Sequence, residues 1–198
     1  MKVYKIYPKG FASNSYILTQ DGLNAVIIDC AQPSVLEECV KLNLIPRFVL
    51  LTHGHYDHIG GCAMCYNVGT EIICSKEEEQ IVYHPFNKDF GCDLNFKINK
   101  HVSDGEKFSL CGIDFIAIAT PGHSVGSMCY IAEDCLFSGD TLFFESIGRW
   151  DLPTGNGRQL EQSIKKLFSL PKDYVVYCGH EDNTTLSHEK INNAYVRP

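Results

Sequence analysis

At 198 residues, with 44% hydrophobic and 21% charged residues, the chain can bury one sizeable core and is too ordinary in composition for a fibrous or disordered protein. A net charge of -7 disfavours nucleic acid or an anionic membrane surface as the main partner. No apolar stretch approaches bilayer-spanning length, and Met1 to Pro8 lacks the apolar core of a signal peptide, so the cytoplasm is the expected compartment.

In chain order, Val3 to Tyr7, Ser15 to Thr19 and Ala25 to Asp29 read as strands, with a turn at Gln20-Asp21-Gly22. Ser34 to Leu42 reads as a helix capped by Ser34, with Val35, Leu36, Cys39 and Val40 on its apolar face. Arg47 to Leu51 is a strand, Glu71 to Cys74 another, and Lys76 to Tyr83 a charged helix. A short helix is expected after Gly60-Gly61. Pro85 to Lys100, rich in Asn, Asp and Lys, reads as an irregular excursion that could overhang a cleft. Ser109 to Ala132 supplies two or three strands and Cys135 to Ser138 the next. Gln159 to Leu167 is an amphipathic helix with Lys165 and Lys166 on its solvated face, and Tyr174 to Cys178 the last strand. Two similar halves of strands and helices suit two sheets flanked by helices.

The chemistry concentrates where apolar runs stop. His53-Gly54-His55-Tyr56-Asp57-His58 follows Phe48-Val49-Leu50-Leu51 and packs three imidazoles and a carboxylate into six residues. Imidazole nitrogen and carboxylate oxygen are donors for zinc and related divalent metals, and one tetrahedral site with an open position needs fewer. That surplus points to two metals in one cleft. His123 in Pro121-Gly122-His123, Asp140 in Gly139-Asp140 and His180 in Gly179-His180 also end apolar runs beside a glycine, so four strand ends carry donors toward a shared rim. His84, His101 and His188 lie in ordinary polar settings and read as surface or hydrogen-bonded residues.

This succession of motifs resembles the metallo-β-lactamase fold superfamily over nearly the whole chain. Gly148-Arg149-Trp150-Asp151 further resembles the GRxD-type segment of short bacterial glyoxalase II-like (hydroxyacylglutathione hydrolase-like) enzymes. The resemblance implies a four-layer αββα sandwich with metals at one edge between the sheets. It implies His53, His55 and His123 on one metal, Asp57, His58 and His180 on a second, and Asp140 bridging them. Zinc is the first expectation, with iron or manganese as alternatives. Arg149 and Asp151 are expected to form a supporting ion pair, behind the ligands or on the substrate side.

The implied activity is hydrolysis of a thioester such as S-lactoylglutathione, or of a related small acyl thioester, with Asp57 handling a proton of the attacking water. Full-length glyoxalase II forms grip glutathione with a C-terminal helical domain. Residues 1–198 are expected to be a single domain without it, and Glu181-Asp182-Asn183 lacks the aromatic residue that follows Gly-His-Glu in those forms. The chief alternative is a persulfide dioxygenase with one iron on His53 or His55, His123 and Asp140. A non-catalytic, metal-stabilised binding module is an alternative of another class. Cys62-Ala63-Met64-Cys65 has redox-pair spacing, but the ten scattered cysteines read mainly as buried thiols in a reducing environment. Oligomeric state has no signature.

Overall fold

The structure, a computed structural model, describes residues 1–197. The first half comprises β1 (Lys2–Ile6), β2 (Ser15–Thr19), β3 (Asn24–Ile28), α1 (Ser34–Lys41), β4 (Ile45–Leu50), α2 (Tyr56–Ile59), α3 (Cys62–Asn67), β5 (Glu71–Ser75), α4 (Glu79–Val82), α5 (Pro85–Asp89) and β6 (Lys100–Val102). The second half comprises β7 (Lys107–Leu110), β8 (Ile113–Ala119), β9 (Met128–Ala132), β10 (Cys135–Gly139), β11 (Leu142–Phe143), β12 (Ser146–Ile147), α6 (Gly157–Phe168), β13 (Val175–Cys178), β14 (Thr184–Thr185) and α7 (Leu186–Asn192).

Each half builds a six-stranded sheet, in the orders β1-β2-β3-β4-β5-β6 and β14-β13-β10-β9-β8-β7, and β11 and β12 form a separate small hairpin. Strands β3 to β6 run parallel, as do β10 and β13, so each sheet has a parallel part with strand ends aligned in one direction. The two-residue alternation of each strand sorts its side chains between layers. In β2, Tyr16 and Leu18 face the space between the sheets while Ile17 faces α1 and α3. In β8, Phe115 and Ala117 face that same space, whereas Ile116 and Ile118 face the layer under α6. Both faces of the central strands are buried, which is why these strands read as continuous apolar runs. Three apolar layers therefore separate four structural ones. The architecture is the αββα sandwich.

Helix α6 illustrates the local logic. Asn156 caps it by accepting from Gln159 N at 3.1 Å, and Leu160, Ile164, Leu167 and Phe168 bury one stripe against the second sheet.

Several local expectations are corrected. Pro33, not Ser34, precedes α1, and no side chain caps that helix. The charged helix expected over 76–83 is helical only across Glu79–Val82, because Glu78 turns inward and 76–78 form a turn. The excursion over 85–100 is not wholly irregular: Pro85 occupies the first turn of α5 and the His84 ring accepts from Phe86 N at 3.2 Å. Strand β13 is not the last, since β14 pairs antiparallel with it and α7 follows. No helix among the described residues is long and apolar enough to cross a membrane.

All ten cysteines are free thiols: seven are buried, and Cys92, Cys111 and Cys135 are half-buried. Cys62 and Cys65 lie in α3, with Cys65 Sγ 3.5 Å from Cys30 Sγ inside the apolar layer. Burial pushes most of the thiols up, to about 11 for both Cys92 and Cys129, whereas the contact with Cys30 lowers Cys65. A thiol reagent at pH 7 should therefore label at most Cys92, Cys111 and Cys135 in the folded protein, slowly, and about tenfold faster per pH unit until their pKa values are reached. Rapid labelling of buried cysteines in folded protein at pH 7, read by peptide mass spectrometry, contradicts this packing.

Candidate metal centre

Strand β4 delivers the chain into the loop Leu51-Thr52-His53-Gly54-His55, and a buried aspartate fastens that loop. Asp29, just past the end of β3, accepts from Thr52 N and Thr52 Oγ1, both at 2.7 Å. Its Oδ2 also faces His58 Nδ1 at 2.8 Å. A carboxylate only accepts, so His58 Nδ1 carries a hydrogen and Nε2 is the nitrogen turned toward the other donors. The same logic fixes two further rings. Thr52 Oγ1, its hydrogen committed to Asp29, accepts from His53 Nδ1 at 3.2 Å, and the Arg149 carbonyl accepts from His123 Nδ1 at 2.7 Å.

His53 Nε2 and His123 Nε2 are thus both bare and stand 3.2 Å apart, with His55 Nδ1 2.9 Å from His123 Nε2. Two lone pairs at that distance repel. Nearby, His58 Nε2 lies 3.2 Å from Asp140 Oδ1, and neither buried atom has a hydrogen-bond partner. His180 Nε2 lies 3.2 Å from Asp57 Oδ2 and 3.4 Å from Asp140 Oδ2, and that same Asp140 oxygen is 3.6 Å from His123 Nε2. The donor atoms of His53, His55 and His123 fall within 4.8 Å of one another, as do those of Asp57, His58, Asp140 and His180. Bare imidazole nitrogens, unpartnered carboxylate oxygen and burial together are a donor set that fits divalent cations.

Electrostatics divide the two groups. Burial holds His53 well below its ordinary value and takes His55 down to about 3, which leaves both rings neutral. Burial also opposes charge on His58 and His180, but carboxylates outweigh it. Asp140, Asp29 and Asp57 hold His58 well above its ordinary value, and Asp140 and Asp57 carry His180 up to about 9. One group is therefore imidazole-only, with His53 and His55 neutral, while the other sets carboxylates beside imidazoles whose protonated forms they favour.

Glycines and a second buried carboxylate set this geometry. A Cβ on Gly179 would run into Asp140 Oδ1 and stand 2.9 Å from His58 Cε1, so the turn after β13 admits no side chain there. Glu78, fully buried, ties the two histidine loops to each other. Its Oε1 accepts from Gly54 N, and its Oε2 from Ser124 Oγ and Gly126 N, all at 2.8 Å. Burial raises the Glu78 carboxyl, against the pull of those donors. Helix α6 backs the same loop, with Ser163 Oγ donating to Pro121 O at 2.7 Å.

The seven donors anticipated from the motifs thus lie together, and so does the Arg149 carbonyl. The Arg149 guanidinium is turned away, donating twice to Asp151 at 2.7 and 2.8 Å on the exposed rim. His84, His101 and His188 lie elsewhere: His84 caps α5, His101 pairs with Glu79 and His188 with Glu145, each pair at 3.0 Å. Asp29, Thr52 and Glu78 were not foreseen. Asp29 carries a readable signal, since it ends an apolar run as Asp140 does. Glu78 carries none, standing in a Glu77-Glu78-Glu79 run that resembles a solvated helix face.

The centre forms the base of a cleft of about 590 Å³. Residues 8–180 match the metallo-beta-lactamase superfamily. The chain belongs to that superfamily. It is 36% identical over 178 residues to a hydroxyacylglutathione hydrolase of Erwinia tasmaniensis, a match covering 87% of this chain and 64% of the relative, so the chain spans less than two thirds of that relative's length. Among solved structures it resembles the BLEG-1 B3 metallo-beta-lactamase (TM-score 0.91, 29% identity, 98% of this chain and 99% of that one). It also resembles TTHA1623 in a di-iron-bound form (TM-score 0.84, 28% identity, 97% and 99% covered). ETHE1 from Myxococcus xanthus is similar as well (TM-score 0.82, 27% identity, 98% and 84% covered).

Replacing Glu78 by Ala strands the buried Gly54 and Gly126 N–H groups. The expected loss is about 3 kcal/mol of unfolding free energy, with a smaller loss for Glu78→Gln, which keeps one acceptor oxygen. Denaturant unfolding measures it. A Glu78→Ala midpoint indistinguishable from that of the unsubstituted protein would show that the carboxylate ties nothing.

Proposed function

We propose that this protein is a two-metal hydrolase of thioesters, similar to glyoxalase II. The observation that carries the reading is the pair of adjoining donor groups, with Asp140 of one group 3.6 Å from His123 of the other, and with His58 Nε2 and Asp140 Oδ1 buried and satisfied by no hydrogen bond. The identity to a hydroxyacylglutathione hydrolase supports the reaction class. His53, His55 and His123 would hold one metal, Asp57, His58 and His180 the other, and Asp140 both. Zinc is the proposed occupant, and the di-iron form of TTHA1623 supports iron as an alternative.

A divalent pair held there supplies acidity, lowering the pKa of water and polarising a carbonyl oxygen. The chain's own residues do the rest. Asp29, Thr52 and the Arg149 carbonyl hold three imidazole rings in the tautomer that presents Nε2 inward. Asp57, only partly buried beside the cleft, takes the proton that the attacking water gives up. Water adds to the thioester carbonyl, the carbon–sulfur bond breaks, and a carboxylate and a thiol leave with one proton released.

A single iron on His53 or His55, His123 and Asp140 is the second reading, and the likeness to ETHE1 bears on it. It leaves buried His58 Nε2 without a partner, which disfavours it.

Protein purified without added metal is expected to contain close to two divalent ions per chain by elemental analysis. It should hydrolyse members of a thioester panel that includes S-lactoylglutathione, reversibly inhibited by chelator. About one iron per chain, with oxygen uptake on glutathione persulfide and no hydrolysis, overturns the proposal. Asp57→Asn, compared at matched metal loading, should lower turnover by about 100-fold or more; full turnover at full loading removes the proton-transfer role.

A further inference from the structure

The walls of the cleft are unlike its base. The cleft is lined by Tyr56, Phe86 and Phe90, whose rings contact one another, and also by Phe143, Ile147 and Leu152. Tyr56 and Phe90 stack at 4.1 Å between centroids and 11° between planes, and the Phe86 ring meets Phe90 at 4.8 Å. Phe90 is nonetheless 54% exposed, so the stack offers a large apolar face to whatever enters.

This shelf is registered to the metal centre rather than loosely attached. Asn87, fully buried in α5 between Phe86 and Phe90, donates from Nδ2 to Gly54 O at 2.8 Å, and also to Ile81 O and Val82 O. Gly54 is the residue between His53 and His55. Cys92 Sγ donates to Tyr56 O at 3.3 Å and secures the other end. The aromatic faces are therefore held at a set position from the donors.

Charge at the mouth narrows the guest further. Among the described residues Arg149 is the one lysine or arginine lining the cleft, and Asp151 takes its guanidinium in a bidentate pair. Glu181 lines the same rim. A thiol carrier with two free carboxylates, such as glutathione, meets an acidic edge whose arginine is already paired with Asp151, in a chain of net charge -7. An aryl ring meets an apolar lining that is largely aromatic.

We propose that the preferred substrates are thioesters bearing an aryl or arylalkyl group and no carboxylate at the mouth, the ring resting on the Tyr56–Phe90 shelf. The assignment rests on the thioester hydrolase reading above and specifies its substrate class. The shelf favours the ring on whichever side of the sulfur reaches it, and the two sides are separable by experiment.

The test compares kcat/KM for four compounds on the metal-loaded protein: a phenylacetyl thioester of a small neutral thiol, the acetyl thioester of that thiol, the acetyl thioester of benzyl thiol, and S-lactoylglutathione. At least one aryl compound should exceed the plain acetyl thioester by about tenfold or more, mainly through KM, and exceed S-lactoylglutathione. Which aryl compound wins identifies the side of the sulfur that the shelf holds. In Phe90→Ala and Phe86→Leu the aryl-to-acetyl ratio should collapse toward one, with metal content and unfolding temperature reporting that each variant is folded. In metal-free protein, a non-hydrolysable benzyl thioether should shift the ring resonances of Phe86 and Phe90, a reading independent of turnover. Hydrolysis without aryl preference, a preference for S-lactoylglutathione, an unchanged ratio in folded variants, or unshifted rings overturns the substrate assignment alone. Two bound metals with no hydrolysis of any of the four overturns the hydrolase reading, and the assignment with it.

Discussion

Imidazole nitrogens that face each other without a proton between them are the constraint on which this structure turns. His53 Nε2 and His123 Nε2 are kept bare because the opposite nitrogen of each ring is committed to an acceptor, and they stand 3.2 Å apart. Left alone, such an arrangement is repulsive, and desolvation makes it costlier. It persists because Asp29, Thr52, Glu78 and the Arg149 carbonyl hold the loops from behind. The fold therefore stores, in hydrogen bonds outside the centre, the preorganisation that a cation needs inside it.

The sandwich makes this possible by sending strand ends of both sheets toward one edge. The loops after β3, β4, β8, β10 and β13 supply Asp29, the His53 to His58 cluster, His123, Asp140 and His180. The apolar layer between the sheets fixes the separation of those ends, and the close approach at Gly179 allows Asp140 and His58 to meet. In the proposed reading, binding energy for an organic guest comes from elsewhere. Helix α5 leans its aromatic rings over the cleft, and Asn87 connects that helix to the histidine loop through Gly54. The donor cluster and the aromatic shelf are thereby one connected unit.

Much of this was readable from residues alone. Apolar runs ending in a donor beside a glycine located the strand ends, because a buried strand has to be apolar and a metal donor at its end has no packing value of its own. The sandwich followed from the order of strands and helices together with the motif resemblance. What escaped detection was set by long-range contact. Glu78 looks like a solvated charge until the Gly54 and Gly126 N–H groups are found facing it. Ser34 has the chemistry of a cap, but the chain enters α1 already helical at Pro33. The aromatic shelf was hidden in a stretch dominated by Asn, Asp and Lys, where Phe86 and Phe90 fall on one face only because α5 is helical.

Crystals grown with metal and measured at its absorption edge provide the most direct test. Two anomalous peaks are predicted for each chain, one among His53, His55 and His123 and the other among Asp57, His58 and His180, with Asp140 contacting both. A single peak at full occupancy, or peaks distant from these side chains, would contradict the account.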